Sequence, residues 1–210
     1  MEEIVVVGGG GHAKVVISIL KKLDRYKVRG YTDLENRGVL LDIPYLGSDA
    51  ELGLLRAQSL SLDVVIAVGQ VGLGRQRNEL WDRMQPLDLG FPVIVSPDAI
   101  VNEGVALGEG TVVMDGAVIN SGARIGRGAI VNSNSTVEHD VELEDWVHVA
   151  PGATISGGTK IGRHSMIGAG ATVIEGIEIV AGCIVGAGAT AVRNLMDAGV
   201  YVGCPARRIR

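Results

Sequence analysis

Between Val95 and Thr190 the chain divides into sixteen six-residue units without a single insertion: VSPDAI VNEGVA LGEGTV VMDGAV INSGAR IGRGAI VNSNST VEHDVE LEDWVH VAPGAT ISGGTK IGRHSM IGAGAT VIEGIE IVAGCI VGAGAT. Every unit opens on Val, Ile or Leu, eleven of the sixteen carry Gly at the fourth place, and most carry Ala, Thr, Ser or Val at the fifth. A period of six matches neither the 3.6 of a helix nor the 2 of a strand. It suits a coil with three short flat sides, one aliphatic residue pointing inward per side and a glycine near each corner, where the backbone needs angles that other residues adopt at a cost. Three units make one turn of 18 residues, so the segment holds a little over five turns. At a strand spacing of about 4.8 Å such a prism stands roughly 25 Å tall.

Composition agrees with a chain that fills its interior with aliphatic residues and turns often: 31 of 210 residues are Gly, 47 % are apolar and only 3 % aromatic. A net charge of −5 offers no basic face for nucleic acid. Cys183 and Cys204 do not make a disulfide framework, which points to a reducing compartment. Glu2 and Glu3 stand where a signal peptide would be basic, and no apolar stretch reaches the ~18 residues that span a bilayer. The expectation is a cytoplasmic protein with no membrane partner.

Residues 1–92 follow a different pattern. A buried strand is expected at Ile4–Val7, then a helix from His12 to about Asp24 with Val15, Val16, Ile19, Leu20 and Leu23 at helical spacing. A short strand near Val28–Thr32, a polar loop, a helix near Asp49–Gln58, the strand Val64–Val68 and a helix from about Arg75 to Met84 complete it. Strand–helix alternation predicts a small parallel α/β sheet. The turn after the first strand reads VVVGGGGHAKVV, in which Gly8, Gly10 and Ala13 satisfy the G-x-G-x-x-G/A fingerprint, with Asp33 about twenty residues on where an acidic side chain meets a ribose in NAD folds. That leaves an NAD-dependent oxidoreductase as one reading. Yet about 92 residues suffice for one mononucleotide-binding half, not the two that hold a dinucleotide.

The fourth-place glycine fails in three consecutive units, at Asn134, Asp140 and Trp146, and the window holds Glu138-His139-Asp140 and, nine residues on, His148. This local departure points to a purpose other than folding. His139 stands at the third place of its unit, which faces away from the packed interior. An outward imidazole beside a carboxylate is suited to general-base work, the carboxylate holding the tautomer and stabilising the imidazolium. A metal-dependent hydratase would need three ligands converging on one point. His139, His148 and His164 differ in their place on the 18-residue turn and do not stack in one column, so no metal is expected within one prism. The cysteines have no nearby base. A non-catalytic scaffold is the remaining alternative.

The joint pattern of VVVGGGGHAKVV, GYTD, IAVG, IVNSNSTVEHDVELEDWVHVAPGATISGG and GAGATAVRN…GVYVGCPARRI resembles the NeuD/PglD family of bacterial sugar acyltransferases over essentially the whole chain. After IAVG this chain departs from the family, with Gln70-Val71-Gly72-Leu73-Gly74 in place of an Asn or Asp before a basic helix. The resemblance implies a Rossmann-like parallel α/β domain (1–92), a left-handed parallel β-helix (93–192) and a tail (193–210). It implies homotrimers with active sites between subunits, acetyl-CoA as co-substrate, and a nucleotide-linked amino sugar of glycan or lipopolysaccharide assembly as acceptor; O-acetylation, as of sialic acid, is the near variant. His139 aligns with the general base, Asp140 with the carboxylate that raises its basicity, and Glu138 with a helper. His148 aligns with a residue at the thioester end of the acyl-CoA, and Gly157, Ala169 and Ala187 line the CoA arm. By the same resemblance Asn132 aligns with a polar residue facing the acceptor sugar, Gly10, Gly11 and His12 would cradle the diphosphate, and Thr32, Asp33 and Gly69 would lie nearer the nucleoside.

Overall fold

The computed structural model describes residues 1–70, 72 and 75–210. Val71, Leu73 and Gly74, within the divergent loop after Gly69, lie outside the described residues. The chain forms two compact units, one of Met1–Gln70 with Arg75–Pro97 and one built on Asp98–Arg210.

The first unit is a four-stranded parallel sheet in the order β3-β2-β1-β4, with β1 Glu2–Val7, β2 Tyr26–Thr32, β3 Tyr45–Gly47 and β4 Asp63–Ile66. The apolar run of β1 is central, pairing with β2 on one side and β4 on the other, and Ile4 to Val7 are at most 1 % exposed, as expected of a parallel strand covered on both faces. Helix α1 spans Gly11–Lys22, α2 Leu52–Ala57 behind a 3-10 turn at Asp49–Glu51, and α3 Gln76–Met84. The apolar stripe of α1 buries Ala13, Val16, Ile17, Ile19 and Leu20; Val15, expected on it, is exposed, and Ile17 takes its place. The edge strand β3 lies where the sequence suggested a polar loop. It is three residues long, follows Pro44 and joins β2 through a register shift, features too short for a period-2 pattern.

The second unit is a parallel β-helix of two-residue strands. Each strand pairs with the one 18 residues on: Arg124 with Glu142, Ile130 with His148, Thr136 with Thr154. The opening residues of thirteen successive repeats, from Val113 to Val185, are all buried, and most fifth-place residues form a second inward layer with them. The openers Val95, Val101 and Leu107 are less covered, Val101 and Leu107 lying on the first coils of the stack. Buried hydroxyls inside the coil are satisfied by backbone: Thr111 donates to the carbonyl of Gly126 and Ser135 to that of Asn132, Thr159 to Ile174 and Ser165 to Val180. The chain end finishes the stack. Gly199–Val202 extends one ladder beside Cys183–Val185, and Arg207–Arg208 closes it as an antiparallel strand.

Every fourth place from Gly104 to Gly188 has φ between 54° and 79°, including Asn134, Asp140, Trp146 and His164. The repeat therefore breaks in side chain but not in backbone. Asn, Asp and His enter this left-handed region more readily than other residues, whereas a Trp there is a genuine outlier. The replaced corners lean on the preceding coil: a Cβ on Gly116, Gly122 or Gly128 would collide with Asn134, Asp140 or Trp146, respectively. Among the described residues no helix is long and apolar enough to cross a membrane.

Strand Lys160–Ile161 isolates the source of stability, since Ile161 is 1 % exposed while the Lys160 side chain is 61 % exposed beside Glu142. Ile161→Ala is expected to cost about 2–5 kcal/mol and Lys160→Ala no more than about 0.5 kcal/mol, measured by denaturant unfolding.

Candidate active site

In the first unit the four glycines divide into two pairs. Gly8, at φ 111°, donates to the carbonyl of Thr32, and Gly9 donates to Oδ2 of Asp33 at 2.6 Å. A Cβ on Gly9 would press on the Tyr31 ring at 2.7 Å, and one on Gly8 would meet Val68 at 3.0 Å. Packing therefore accounts for both. Gly10 and Gly11 would meet nothing within 4 Å. They form the N-cap and first residue of α1, whose first turn holds no acidic residue, so the end of a helix dipole faces open space, a setting suited to an anion. His12 follows in the same turn, with Gly69 against its Cβ at a virtual distance of 3.6 Å.

Asp33 ties this loop down. Burial by itself would raise its carboxyl, but N–H groups of Glu35, Gly9 and Leu34 and the charge of Arg37 outweigh that and hold it below the ordinary carboxylate value. Thr32 is fully buried and its hydroxyl donates to Asp49. Asp33 and Asp49, with Gly8, Gln76, Glu79 and Arg83, border a cavity of about 330 Å³ at the carboxyl ends of β1 and β2, where open parallel sheets bind ligands. Gln76, Glu79 and Arg83 belong to α3 and carried no motif that would have marked them in the sequence.

In the solenoid the structure gathers Glu138, His139 and Asp140 at one corner, between strands Thr136–Val137 and Glu142–Leu143. The imidazole is exposed, and its Nδ1 lies 3.0 Å from Oδ2 of Asp140. With the carboxylate accepting from Nδ1–H, Nε2 is left as the basic nitrogen. The hydrogen bond to Asp140, and then the charges of Asp140, Glu138 and Glu175, raise the imidazole above its ordinary 6.5 against the opposing effect of burial. Glu138 turns to a different partner. Its Oε2 accepts from the side-chain amide of Asn120 at 2.8 Å, whose Oδ1 accepts from Asn102 at 2.7 Å. The 18-residue spacing of Asn102, Asn120 and Glu138 is the sequence signature of this ladder.

A second group forms on another side of the prism. Asn132 follows strand Ile130–Val131, and His148 opens the neighbouring strand His148–Val149 of the same sheet. Oδ1 of Asn132 accepts from the Ser133 N–H, which turns its amide nitrogen toward Nε2 of the buried His148 at 3.1 Å. An amide donor on Nε2 selects the tautomer protonated on Nδ1. Ala169 and Ala187 follow later strands of this sheet, stacked by a hydrogen bond from Gly188 N–H to the Ala169 carbonyl, and both are exposed. Gly157 does not join them; it lies at the His139 corner, under the imidazole. His164 stands partly exposed at a third corner. Among the described residues no three His, Cys, Asp or Glu side chains form a group able to hold a metal. Cys183 is buried, which raises its thiol; Cys204 is exposed.

The same two-part arrangement, a parallel α/β unit followed by a prism of six-residue repeats, is found in known sugar acyltransferases of the hexapeptide-repeat type. Residues 3–84 match the PglD N-terminal domain and residues 122–157 the bacterial transferase hexapeptide (six repeats). The acetyltransferase domain of PglB from Neisseria gonorrhoeae, solved with acetyl coenzyme A, is 34 % identical with a TM-score of 0.92, covering 99 % of each chain. A point variant of GDP-perosamine N-acetyltransferase from Caulobacter crescentus, solved with CoA and GDP-perosamine, is 36 % identical with a TM-score of 0.93, covering 100 % of this chain and 98 % of that one. WeeI from Acinetobacter baumannii shares the fold at 24 % identity and a TM-score of 0.87, covering 100 % of both chains. A search of curated protein sequences gave no match. The chain belongs to the NeuD/PglD family of sugar acyltransferases, and its solenoid is accordingly a left-handed β-helix.

The His–Asp pair makes a prediction about titration. A proton on His139 is favoured by Asp140, so the imidazole midpoint lies above 6.5. Asp140→Asn removes the hydrogen-bonding charge and is expected to lower that midpoint toward 6.5, followed by NMR of the His139 ring; an unmoved midpoint would show that Asp140 does not set it.

Proposed function

We propose that the protein transfers the acetyl group of acetyl-CoA to the amine of a nucleotide-linked amino sugar in bacterial glycan assembly, in the cytoplasm. The observation that carries this reading is the exposed His139 imidazole, held through Nδ1 by Asp140, in a chain whose 36 %-identical structural neighbour is a GDP-perosamine N-acetyltransferase solved with CoA and its nucleotide sugar. That neighbour favours N- over O-acetylation. The N-terminal unit holds the nucleotide: the N–H groups of Gly10, Gly11 and His12 face the diphosphate, and Asp33, Thr32 and Gly69 border the nucleoside.

The chemistry asks little of the protein, because a thioester is already activated. The sugar amine attacks the thioester carbonyl, the new C–N bond forms and the C–S bond breaks. Nε2 of His139 takes the proton of the attacking nitrogen and passes it to the departing CoA sulfur. The positive charge that develops on the ring is stabilised by Asp140, and Asn132 orients the acceptor. His148 stands at the thioester end, where an N–H aimed at the carbonyl oxygen stabilises the oxyanion. Ala169 and Ala187 give the pantetheine arm a close approach to the backbone.

The two groups occupy different sides of one prism. We therefore propose that a working site takes the His139 corner of one subunit and the His148 sheet of the next, in a closed homotrimer.

Wild-type protein with acetyl-CoA and a panel of UDP-, GDP- and CMP-linked amino sugars is expected to release free CoA thiol with at least one of them, and no release with any would overturn the reading. His139→Ala is expected to lose about 10²–10⁴-fold in kcat. Chains carrying His139→Ala and chains carrying His148→Ala, each nearly inactive alone, are expected to recover about a quarter of the wild-type sites when refolded together in equal amounts, as random mixing in a trimer dictates. No recovery would place both histidines of a site in one chain.

A further inference from the structure

We infer that Gly157 is a positioning residue for His139: it is the notch in the next coil that seats the imidazole face, and its role is exerted through that ring. This rests on His139 being the base proposed above.

The sixteen third places of the repeat are Pro97, Glu103, Glu109, Asp115, Ser121, Arg127, Ser133, His139, Asp145, Pro151, Gly157, Arg163, Ala169, Glu175, Ala181 and Ala187. Gly157 is the single glycine among them, so the solenoid does not ask for glycine at this place. Backbone geometry does not require it either, since Gly157, unlike the fourth-place glycines, has no left-handed φ. What a side chain would meet there is specific. A Cβ on Gly157 would stand 2.6 Å from both Cε1 and Nε2 of His139 and 3.2 Å from Cδ2.

The ring cannot simply be lifted away by a shift between the coils. The N–H of Gly158 donates to the carbonyl of His139 itself at 3.0 Å, and the Gly157 carbonyl accepts from Gly176 at 3.0 Å. The two coils are thus clamped at strand spacing, about 4.8 Å, which admits a flat ring against bare backbone but not a ring against a methyl group. Gly157 is buried although its neighbour Gly158 is exposed. With Asp140 holding Nδ1 at the edge and Gly157 receiving one face, an otherwise exposed side chain is held on two sides, a confinement that a Cβ at position 157 would disturb. That confinement matters because a base misplaced by about 1 Å can lose ~10²-fold in rate.

The test is a double-mutant cycle on the intact protein. Gly157→Ala is expected to lower kcat by about 10²-fold while the KM for acetyl-CoA stays within about twofold, and to move the NMR titration midpoint of His139. In a His139→Ala background the same substitution is expected to change neither kcat nor KM, because the ring it displaces is gone; contacting residues that act as a unit are non-additive. The thermal midpoint is expected to fall in the wild-type background and not in the His139→Ala background. Wild-type kcat in Gly157→Ala, or an additive loss in the double variant, would overturn the inference, as would a rise in the KM for acetyl-CoA alone, which would make Gly157 a cofactor contact. A double variant that fails to fold would also overturn it, by showing that the coil itself needs the glycine. Should the wild-type protein acetylate no nucleotide sugar, the functional reading fails, while the titration and melting measurements still decide whether Gly157 seats the ring.

Discussion

The hydrogen-bonded pairing of each short strand with the one 18 residues later is the constraint on which the solenoid depends. Two-residue strands have no stability of their own; each exists because the coils before and after it hold its backbone at one spacing. That pairing requires a left-handed corner in every unit, and the corner persists where glycine is replaced by Asn134, Asp140, Trp146 and His164. The backbone cost of these residues is offset by the stacked coils around them. At Asp140 the return is visible, since its carboxylate reaches the adjacent imidazole.

The same stacking makes a site out of residues far apart in the chain. Columns of period 18 bring Asn102, Asn120 and Glu138 into one ladder and lay His139 over Gly157. The functional groups therefore sit on a rigid lattice, each held from the coil above or below, where a loop would leave them mobile. In the N-terminal unit a comparable division of labour appears among four adjacent glycines: two are demanded by Tyr31 and Val68, and two face open space at the start of a helix.

Much of this was legible. The hexad register, the inward aliphatic residues and the strand–helix alternation before it are periodic signals, and the buried openers from Val113 to Val185 follow them. The His139–Asp140 pair was readable because adjacent residues need no tertiary information to meet. Less legible were the short strand Tyr45–Gly47, whose three residues cannot display a period, and the shift of the α1 stripe from Val15 to Ile17, which depends on what the helix packs against. The break in the glycine pattern was visible, but the persistence of its backbone angles was not, because composition reports which residue is comfortable in a left-handed corner and not which is forced into one.

By itself the sequence determined the architecture of the solenoid and the chemistry available at its corner, since a six-residue period with aliphatic openers leaves one way to bury them and an imidazole beside a carboxylate is a base in waiting. Only the tertiary structure decided which distant residues share a column, that the Asn132 amide meets Nε2 of His148, that Asp33 is a clamp on the glycine loop, and that Gly157 lies against His139, at a different corner of the prism from Ala169 and Ala187. The reason is physical: local pattern fixes the direction in which a side chain leaves the backbone, whereas its partner is set by how whole coils stack against one another.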